Sequence, residues 1–207
     1  MKTKILGLTG SIGMGKTTTS LLFKLQGIPV FDSDKTVHKL ISSDLNTIKE
    51  INKIFPSFVI DGIIDRKKLG NEVFNNVEKL KKLENILHPL VRNKRDKFIK
   101  KSIQNRFPII LLDIPLLFET KTNKICDYTV VVTAPFFIQK NRVLKREGMT
   151  NDKFYQILDK QLADSIKRKK ADFIIFSNMG RHSALKKVKL IIKNISNNNC
   201  YNYVKSV

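Results

Sequence analysis

Residues 10–17, Gly-Ser-Ile-Gly-Met-Gly-Lys-Thr, fit the pattern G-x-x-x-x-G-K-S/T, and this match constrains the fold more than any other feature. The surrounding residues predict a buried strand over 5–9 and a helix over 17–26. In that setting glycines let backbone N–H groups surround phosphate oxygens, and the helix contributes the positive end of its dipole. We expect Lys16 to reach the β- and γ-phosphates of a nucleotide and the Thr17 hydroxyl to hold Mg²⁺. A plain Gly-rich turn after a strand is the structural alternative.

Length and composition favour one globular domain, 1–207. The chain can bury a substantial core, and its 42% of hydrophobic residues are spread along the length. No apolar run approaches the roughly 18–20 residues that span a bilayer, and no signal-peptide core follows Lys2 and Lys4. Cys126 and Cys200 are too few and too far apart for a disulfide framework. We expect a cytoplasmic protein with no membrane contact.

The formal charge of +21 raises the question of nucleic-acid binding. Only eight of the 39 basic residues are Arg, and the lysines are scattered along the chain rather than gathered into one arm. Specific nucleic-acid readers usually combine a basic face with Arg or aromatic contacts. A solvated, Lys-rich surface that attracts anionic small molecules is the better interpretation, and we expect no nucleic-acid partner.

Short apolar runs alternate with helical stretches along the chain. This alternation predicts an α/β fold in which helices cover both faces of a parallel sheet. The predicted strands are 5–9, 29–32, 109–113, 129–133 and 173–176. Because the third of these is apolar at four consecutive positions, we expect it to be a central strand buried on both faces.

Two helical stretches, about 38–88 and about 139–170, interrupt the alternation. Inserted helices of this kind can form the acceptor site of a kinase or close over the phosphates and exclude water. The local signals within them are N-caps at Asp44 and Thr150 and breaks at Pro56, Asp61-Gly62 and Glu147-Gly148.

Three carboxylates follow predicted strands, where ligands bind in open α/β sheets. Asp32 and Asp34 follow the second strand, and one of them could accept the proton of an attacking hydroxyl. The alternative is a pair of turn and N-cap aspartates. Asp113 closes the third strand, a position from which a carboxylate can support Mg²⁺. An ordinary strand-end Asp is the alternative there.

Two sets of basic residues are candidates for anion binding. Arg142 and Arg146 are four positions apart, so we expect them to share one helix face and engage phosphate oxygens. A solvated helix face is the alternative. Arg66 and His88 lie in the first helical stretch and could bind an acceptor anion, although His88 alone is more typical of a helix boundary before Pro89.

Taken in order, these motifs resemble those of the dephospho-coenzyme A kinase family over about 5–195. A phosphate loop alone is unspecific among kinases, ATPases and GTPases, whereas the ordered set is specific. Ser11, Met14 and Ser33 depart from the commoner family pattern, and we expect Met14 to add bulk near the phosphates. The similar segments are Gly7–Lys16, Val30–Asp34, Gly62–Arg66, Leu87–Pro89, Asp113–Glu119, Gln139 with Arg142, Gln161 with Lys167, Ala171-Asp172 and Asn178–Gly180.

The resemblance implies transfer of the γ-phosphate of ATP to the ribose 3′-hydroxyl of dephospho-coenzyme A, giving coenzyme A and ADP. It implies a doubly wound five-stranded parallel sheet of the P-loop kinase type. An acceptor-binding insertion at about 38–88 and a lid at about 139–170 would complete the domain. ATP and dephospho-coenzyme A would be the partners, Mg²⁺ the metal cofactor, and the protein a monomer or small homo-oligomer.

By the same resemblance, Asp34 is the general base and Asp32 supports it. Arg142 closes from the lid onto the phosphates, and Asn178 lies near the adenine. The remaining implied residues are Gly13, Met14, Gly15, Lys16, Thr17 and Thr18 for ATP, Arg66 and His88 with the two aspartates for the acceptor, and Thr17 with Asp113 for Mg²⁺.

Two rivals share the phosphate loop. A nucleoside monophosphate kinase has a similar sheet and lid but carries its acceptor-binding arginines in a different helical insertion. A GTPase switch needs a guanine-reading N-K-x-D segment. We expect none in this chain, and Asn178-Met179-Gly180 does not fit.

Overall fold

The computed structural model describes residues 2–74 and 76–197, so Cys200 lies outside the described part. The strands are β1 Lys4–Thr9, β2 Val30–Asp32, β3 Val59–Ile60, β4 Ile63–Ile64, β5 Ile109–Asp113, β6 Tyr128–Thr133 and β7 Phe173–Phe176. The α-helices are α1 Lys16–Leu25, α2 Ser33–Ser43, α3 Leu45–Ile54, α4 Arg66–Phe74, α5 Val77–Gln104, α6 Phe136–Leu144, α7 Asn151–Asp159, α8 Asp164–Lys170 and α9 Gly180–Ser196. Short 3₁₀ helices lie at Pro56–Phe58 and Thr122–Ile125.

The described residues fall into two compact units. The first runs to Phe31 and resumes at Lys101, and the second spans Asp32–Lys100. The predicted insertion, 38–88, lies within the second unit, and the predicted lid, 139–170, lies within the first. Within the described ranges, no helix has both the length and the apolar character needed to cross a bilayer.

The first unit is built on a five-stranded parallel sheet with the order β2-β5-β1-β6-β7. Strand β1 pairs in parallel with β5 and β6, and β6 pairs in parallel with β7. Every residue of β5 is buried, as predicted for a central strand. The five predicted strands are confirmed, and their ends differ from the observed ones by at most one residue.

One face of the sheet packs against α1 and α9. Leu6 and Leu8 of β1 point to this face and join Phe23 of α1 in one buried cluster with Val188 and Ile191 of α9. Helix α1 follows directly from the glycine-rich loop. Because the apolar side of α1 is buried against the sheet, the position of its N-terminus beside the loop is fixed.

The other face of β1 leaves room for the segment that follows β5. Gly7 lies there, since successive residues of a strand alternate between faces. A Cβ atom on Gly7 would lie 2.8 Å from Cys126 Sγ and 2.9 Å from Leu117 Cδ2. Glycine at this position thus allows Leu117 and Cys126 to pack directly on the backbone of the strand.

The second unit has a hydrophobic core of its own, formed by α2 to α5 and the β3–β4 hairpin. Asp44 caps α3 as predicted, and its Oδ1 accepts the Thr47 N–H at 2.9 Å. The turn at Asp61-Gly62 is confirmed, but the hairpin around it was not predicted because two-residue strands are too short to show alternation. The core residues are Leu40, Ile48, Ile51, Phe55, Ile64, Leu69, Val73, Leu83 and Leu87.

Two expectations from the sequence, both about residues that lie in helix α5, are wrong. Helix α5 continues through Pro89, so the interpretation of His88 as a helix-boundary residue is wrong. Proline removes one backbone hydrogen bond, but the buried Leu83 and Leu87 hold the preceding turns in the core.

The expectation that no N-K-x-D segment occurs is also wrong, because Asn93–Asp96 reads Asn-Lys-Arg-Asp. These residues lie inside α5 rather than after a strand of the sheet.

The second predicted helical stretch is confirmed as α6, α7 and α8. Thr150 caps α7, and its Oγ1 accepts the Lys153 N–H at 3.3 Å. The predicted break is also confirmed, with Gly148 at a φ of 69°. The expectation that Arg142 and Arg146 share a helix face is wrong, because α6 ends at Leu144 and leaves Arg146 in the following turn.

Replacement of glycine by alanine should have opposite effects on stability at Gly7 and at Gly70, because the space around the two residues differs. Gly7→Ala should lower the free energy of unfolding by about 1–3 kcal/mol, because the new methyl group overpacks a filled space. Gly70 lies on an exposed part of helix α4, and a Cβ atom there would meet no other atom within 4 Å. Gly70→Ala should therefore raise the free energy of unfolding by about 0.5–1 kcal/mol. Urea titrations of both variants measure these changes, and a Gly7→Ala variant as stable as the parent would contradict the packing argument.

Candidate active site

The glycine-rich loop joins β1 to the N-terminus of α1. Gly13 and Gly15 adopt φ angles of 78° and 90°, which only glycine adopts without strain. Gly15 is the N-cap of α1, and no side chain in the described ranges caps this end. The helix dipole favours negative charge at this end, and first-turn N–H groups are a common binding site for anions.

Lys16 and Asp113 form an ion pair beside this helix N-terminus. Lys16 Nζ lies 2.6 Å from Asp113 Oδ1, and the two side chains are 13% and 2% exposed. The pair is possible because β1 and β5 are neighbours, with Leu8 opposite Asp113 in the register. Two residues assigned to phosphate and Mg²⁺ from the sequence are therefore brought together.

The donor set suits a Mg²⁺ ion that arrives with a nucleotide. The described residues contain no cluster of three or more His, Cys, Asp or Glu side chains that could hold a metal. Mg²⁺ seldom needs such a cluster, because it commonly takes one or two protein ligands and completes its shell with phosphate oxygens and water. The Thr17 hydroxyl, in the first turn of α1, and the Asp113 carboxylate fit that requirement.

Arg142 of α6 is held against the loop. Its guanidinium donates to Ser177 Oγ at 2.7 Å and to the Ser177 carbonyl at 3.0 Å. A third contact, at 3.5 Å, reaches the carbonyl of Gly13. The structure therefore brings Arg142 to the glycine-rich loop, and its contact with phosphate stays a prediction. The contact with Ser177 carried no signal in the sequence.

The two glycines with positive φ also admit close neighbours. A Cβ atom on Gly13 would lie 2.5 Å from Val143 Cγ2, and one on Gly15 would lie 2.9 Å from Ser177 Oγ. Helix α6 and the turn after β7 therefore approach the loop backbone directly. Larger residues at either position would push these elements away.

Met14 does not behave as the sequence suggested. Met14 is only 3% exposed, and its sulfur accepts a hydrogen bond from the Ala134 N–H at 3.1 Å. The bulk expected near the phosphates is thus packed in the interior at the end of β6. Asn178 follows β7, and its buried Oδ1 accepts no hydrogen bond from any residue in the described ranges.

Two glutamine side chains bind the loop at Ile12. Gln139 Nε2 donates to the Ile12 carbonyl at 2.7 Å, and Gln161 Oε1 accepts the Ile12 N–H at 3.1 Å. Only the family resemblance pointed to these residues, and it assigned them no role. Side chain–backbone contacts between distant residues leave no periodic pattern in a sequence.

A second ion pair fixes the segment that carries Gln161. Lys167 of α8 is fully buried, and its Nζ lies 2.9 Å from Glu119 Oε1. The same Glu119 oxygen accepts the Leu162 N–H at 2.9 Å. Burial alone would raise the pKa of the Glu119 carboxyl, but the contact with the Lys167 ammonium and the hydrogen bond from the Leu162 N–H hold that pKa below its usual value.

The remaining candidates belong to the second unit. Asp32 is the N-cap of α2, and its Oδ1 accepts the Lys35 N–H at 2.9 Å. Asp34 lies in the first turn of the same helix. Arg66, the first residue of α4, contacts His38 Nε2, and His38 is one turn beyond Asp34 on α2. His88 contributes its carbonyl to Arg92 Nε at 3.4 Å.

Together, the loop between β1 and α1, the Lys16–Asp113 pair and the five-stranded parallel sheet define a P-loop nucleotide-binding protein. Comparison with known proteins identifies which family of P-loop proteins this is. A family model described as dephospho-CoA kinase matches residues 4–183. The chain belongs to the dephospho-CoA kinase family.

Individual relatives agree with this assignment over nearly the whole chain. The dephospho-CoA kinase of Mesorhizobium japonicum is 48% identical over 188 residues, which are 91% of this chain and 94% of that protein. The dephospho-CoA kinase of Agrobacterium fabrum is 45% identical over 191 residues, 92% of this chain and 97% of that protein. The solved structure of the dephospho-CoA kinase from Campylobacter jejuni has a TM-score of 0.71 and 29% identity, covering 95% of this chain and 99% of that one.

The buried Lys167–Glu119 pair predicts a defined change in acid stability. Glu119→Gln should lower the free energy of unfolding at neutral pH by about 3–5 kcal/mol, because Lys167 then stays buried without its counter-charge. Since folding lowers the pKa of Glu119, this stabilisation is present above the ordinary carboxyl pKa of about 4.3 and is lost as the pH falls further. The difference between the variant and the parent should therefore shrink progressively as the pH falls below about 4.3.

Denaturant titrations at several pH values measure this difference. The double variant Glu119→Gln/Lys167→Met is the matched control, because it removes both charges and should recover most of the lost stability. A pH-independent difference between parent and single variant would contradict the assigned ion pair.

Proposed function

We propose that this chain transfers the γ-phosphate of ATP to the ribose 3′-hydroxyl of dephospho-CoA and releases CoA and ADP, the last step of CoA biosynthesis. The observation that carries the proposal is the phosphate loop, with the uncapped N-terminus of α1 beside Lys16. Membership of the dephospho-CoA kinase family supports the choice of acceptor.

ATP is held mainly by main-chain groups. The N–H groups from Gly13 to Thr18 surround the β- and γ-phosphates, and the dipole of α1 adds favourable charge. Lys16 exchanges part of its contact with Asp113 for the phosphate oxygens. The ion pair holds the ammonium group in place before the nucleotide arrives, so little reorganisation accompanies binding.

Thr17 and Asp113 are the residues that would hold Mg²⁺. When bound, the ion supplies neutralisation of the charge on the β- and γ-phosphate oxygens. Asp113 also keeps Lys16 oriented, so its carboxylate would serve both the ammonium group and the metal ion.

Arg142 and Asn178 complete the nucleotide side of the site. The guanidinium of Arg142 is already fixed on Ser177, and its planar donors suit the oxygens of a transferring phosphoryl group. The Asn178 Oδ1, buried and unpaired within the described ranges, suits a donor such as the exocyclic amine of adenine.

The residues proposed for the acceptor lie in the second unit. Asp34 acts as the general base that accepts the proton of the ribose 3′-hydroxyl, and Asp32 supports it by capping the same helix. Arg66 and His88 contribute to the pocket of the anionic acceptor. The neighbouring His38 accepts a hydrogen bond from Arg66 and orients its guanidinium.

The charge of the chain fits small anionic substrates. A formal charge of +21 raises the local concentration of ATP and dephospho-CoA by long-range attraction. We expect a monomer or small homo-oligomer that works in the cytoplasm without nucleic acid.

The substrate assignment predicts which acceptor drives ADP release. In a coupled assay with ATP and Mg²⁺, dephospho-CoA should support turnover at least about a hundredfold faster than any nucleoside monophosphate, because a site shaped for one acceptor leaves polar groups unpaired with another. A reaction without acceptor gives the background. Equal or faster turnover with nucleoside monophosphates would favour the rival kinase class.

The general base predicts unequal effects of two matched substitutions. Asp34→Asn should lower kcat by about 10²–10⁴-fold, the usual contribution of a positioned base, while the Kd for ATP stays unchanged. Asp32→Asn keeps a good N-cap and should change kcat by less than about tenfold. Steady-state kinetics and calorimetric ATP titration of both variants measure this contrast. Near-normal turnover of Asp34→Asn would show that the base is another residue.

A further inference from the structure

Ile12 is held by side chains from two separate parts of the first unit. Gln139 lies on α6 and donates to the Ile12 carbonyl at 2.7 Å. Gln161 follows α7 and accepts the Ile12 N–H at 3.1 Å. The two glutamines are 127 and 149 positions away from Ile12 in the sequence, so the folded chain alone brings them together.

The chemistry of the backbone fixes the direction of both contacts. A carbonyl oxygen can only accept and an N–H group can only donate, so Gln139 must present its NH₂ group and Gln161 its oxygen. The two sites therefore differ in what they tolerate. A glutamate keeps the acceptor at position 161 but loses the donor at position 139.

The Gln139 contact determines where the Gly13 N–H points. The peptide between Ile12 and Gly13 is trans, so its carbonyl and its N–H point in opposite directions. Binding of the carbonyl by Gln139, on one side of the loop, turns the Gly13 N–H to the other side. A flipped peptide would instead direct a carbonyl oxygen toward an incoming phosphate.

Both glutamines are themselves firmly held. Gln139 is 3% exposed, and a Cβ atom on Gly13 would lie 2.9 Å from its carbonyl oxygen, so α6 lies directly on the loop. Gln161 precedes Leu162, whose N–H is bound by Glu119, which in turn pairs with the buried Lys167. The clamp on Ile12 thus rests on a buried ion pair and on a packed helix.

We propose that Gln139 and Gln161 are positioning residues for ATP: they clamp the Ile12 backbone from two directions and orient the Gly13 N–H toward the triphosphate before it binds. Since the Ile12 N–H is occupied by Gln161, the N–H groups for phosphate begin at Gly13. This inference rests on the proposed function, because it concerns ATP binding by the same loop.

The test compares glutamate at the two positions. Gln139→Glu should raise the Kd and the KM for ATP by about ten- to a hundredfold, because the lost donor leaves the Ile12 carbonyl facing a carboxylate. Gln161→Glu adds the same charge but keeps the acceptor, so its Kd for ATP should stay within about threefold of the parent. The KM for dephospho-CoA should not change in either variant. Calorimetric titration well below the melting temperature measures binding to the folded protein.

Two further variants separate the loss of the hydrogen bond from the effect of added charge. Gln161→Met removes the acceptor without adding charge and should weaken ATP binding about tenfold. If Gln139→Glu does not fold, the comparison of Glu with Met at position 161 decides the question. Gln156→Glu, on the exposed side of α7, is the control for charge alone and should leave ATP binding unchanged.

Equal weakening by Gln139→Glu and Gln161→Glu, or a lower melting temperature with unchanged ATP affinity, would overturn the positioning role. Equal ATP affinity of Gln161→Glu and Gln161→Met would do the same. If the parent chain binds ATP but does not phosphorylate dephospho-CoA, the proposed acceptor fails while the clamp can still be measured. A parent chain that binds no ATP would overturn both proposals.

Discussion

The conformation of the main chain at residues 12–15 is the constraint on which the first unit depends. Phosphate binding by N–H groups works only if those groups already point at the ligand, since reorientation would cost part of the binding energy. Gly13 and Gly15 provide the necessary φ angles, but glycine is also the least restrained residue. The restraint comes from outside the loop, through Gln139, Gln161, and the contacts of Arg142 with Ser177 and the Gly13 carbonyl.

Two ion pairs stabilise this arrangement in different ways. Lys16 and Asp113 are 13% and 2% exposed, and in the proposed function their attraction is exchanged in part for contacts with phosphate. Lys167 is fully buried with Glu119, 16% exposed, as its counter-ion 2.9 Å away. In the proposed function the first pair keeps a cation ready for a ligand, whereas the second holds α8 and the residues before it in place.

The features that the sequence predicted are those encoded by neighbouring residues. Apolar runs located the five parallel strands, and Asp44 and Thr150 were recognisable as N-caps because a cap acts within three residues. Arg146 was misplaced because the end of α6 at Leu144 has no strong stop signal before Gly148. The partners of Ile12 and Arg142 could not be found in this way, because they depend on how distant segments meet once the sheet has formed.

The two contacts on Ile12 also bear on the lid proposed for 139–170. Gln139, near one end of that segment, and Gln161, late in it, are bound to one residue of the loop, and Lys167 anchors α8. Between these points, α7 is packed through Phe154, whose ring lies 5.9 Å from that of Phe136 on α6. Apolar contacts tolerate sliding better than directional hydrogen bonds do. In the proposed lid, a movement that keeps these contacts would therefore be confined to α7 and the turns beside it.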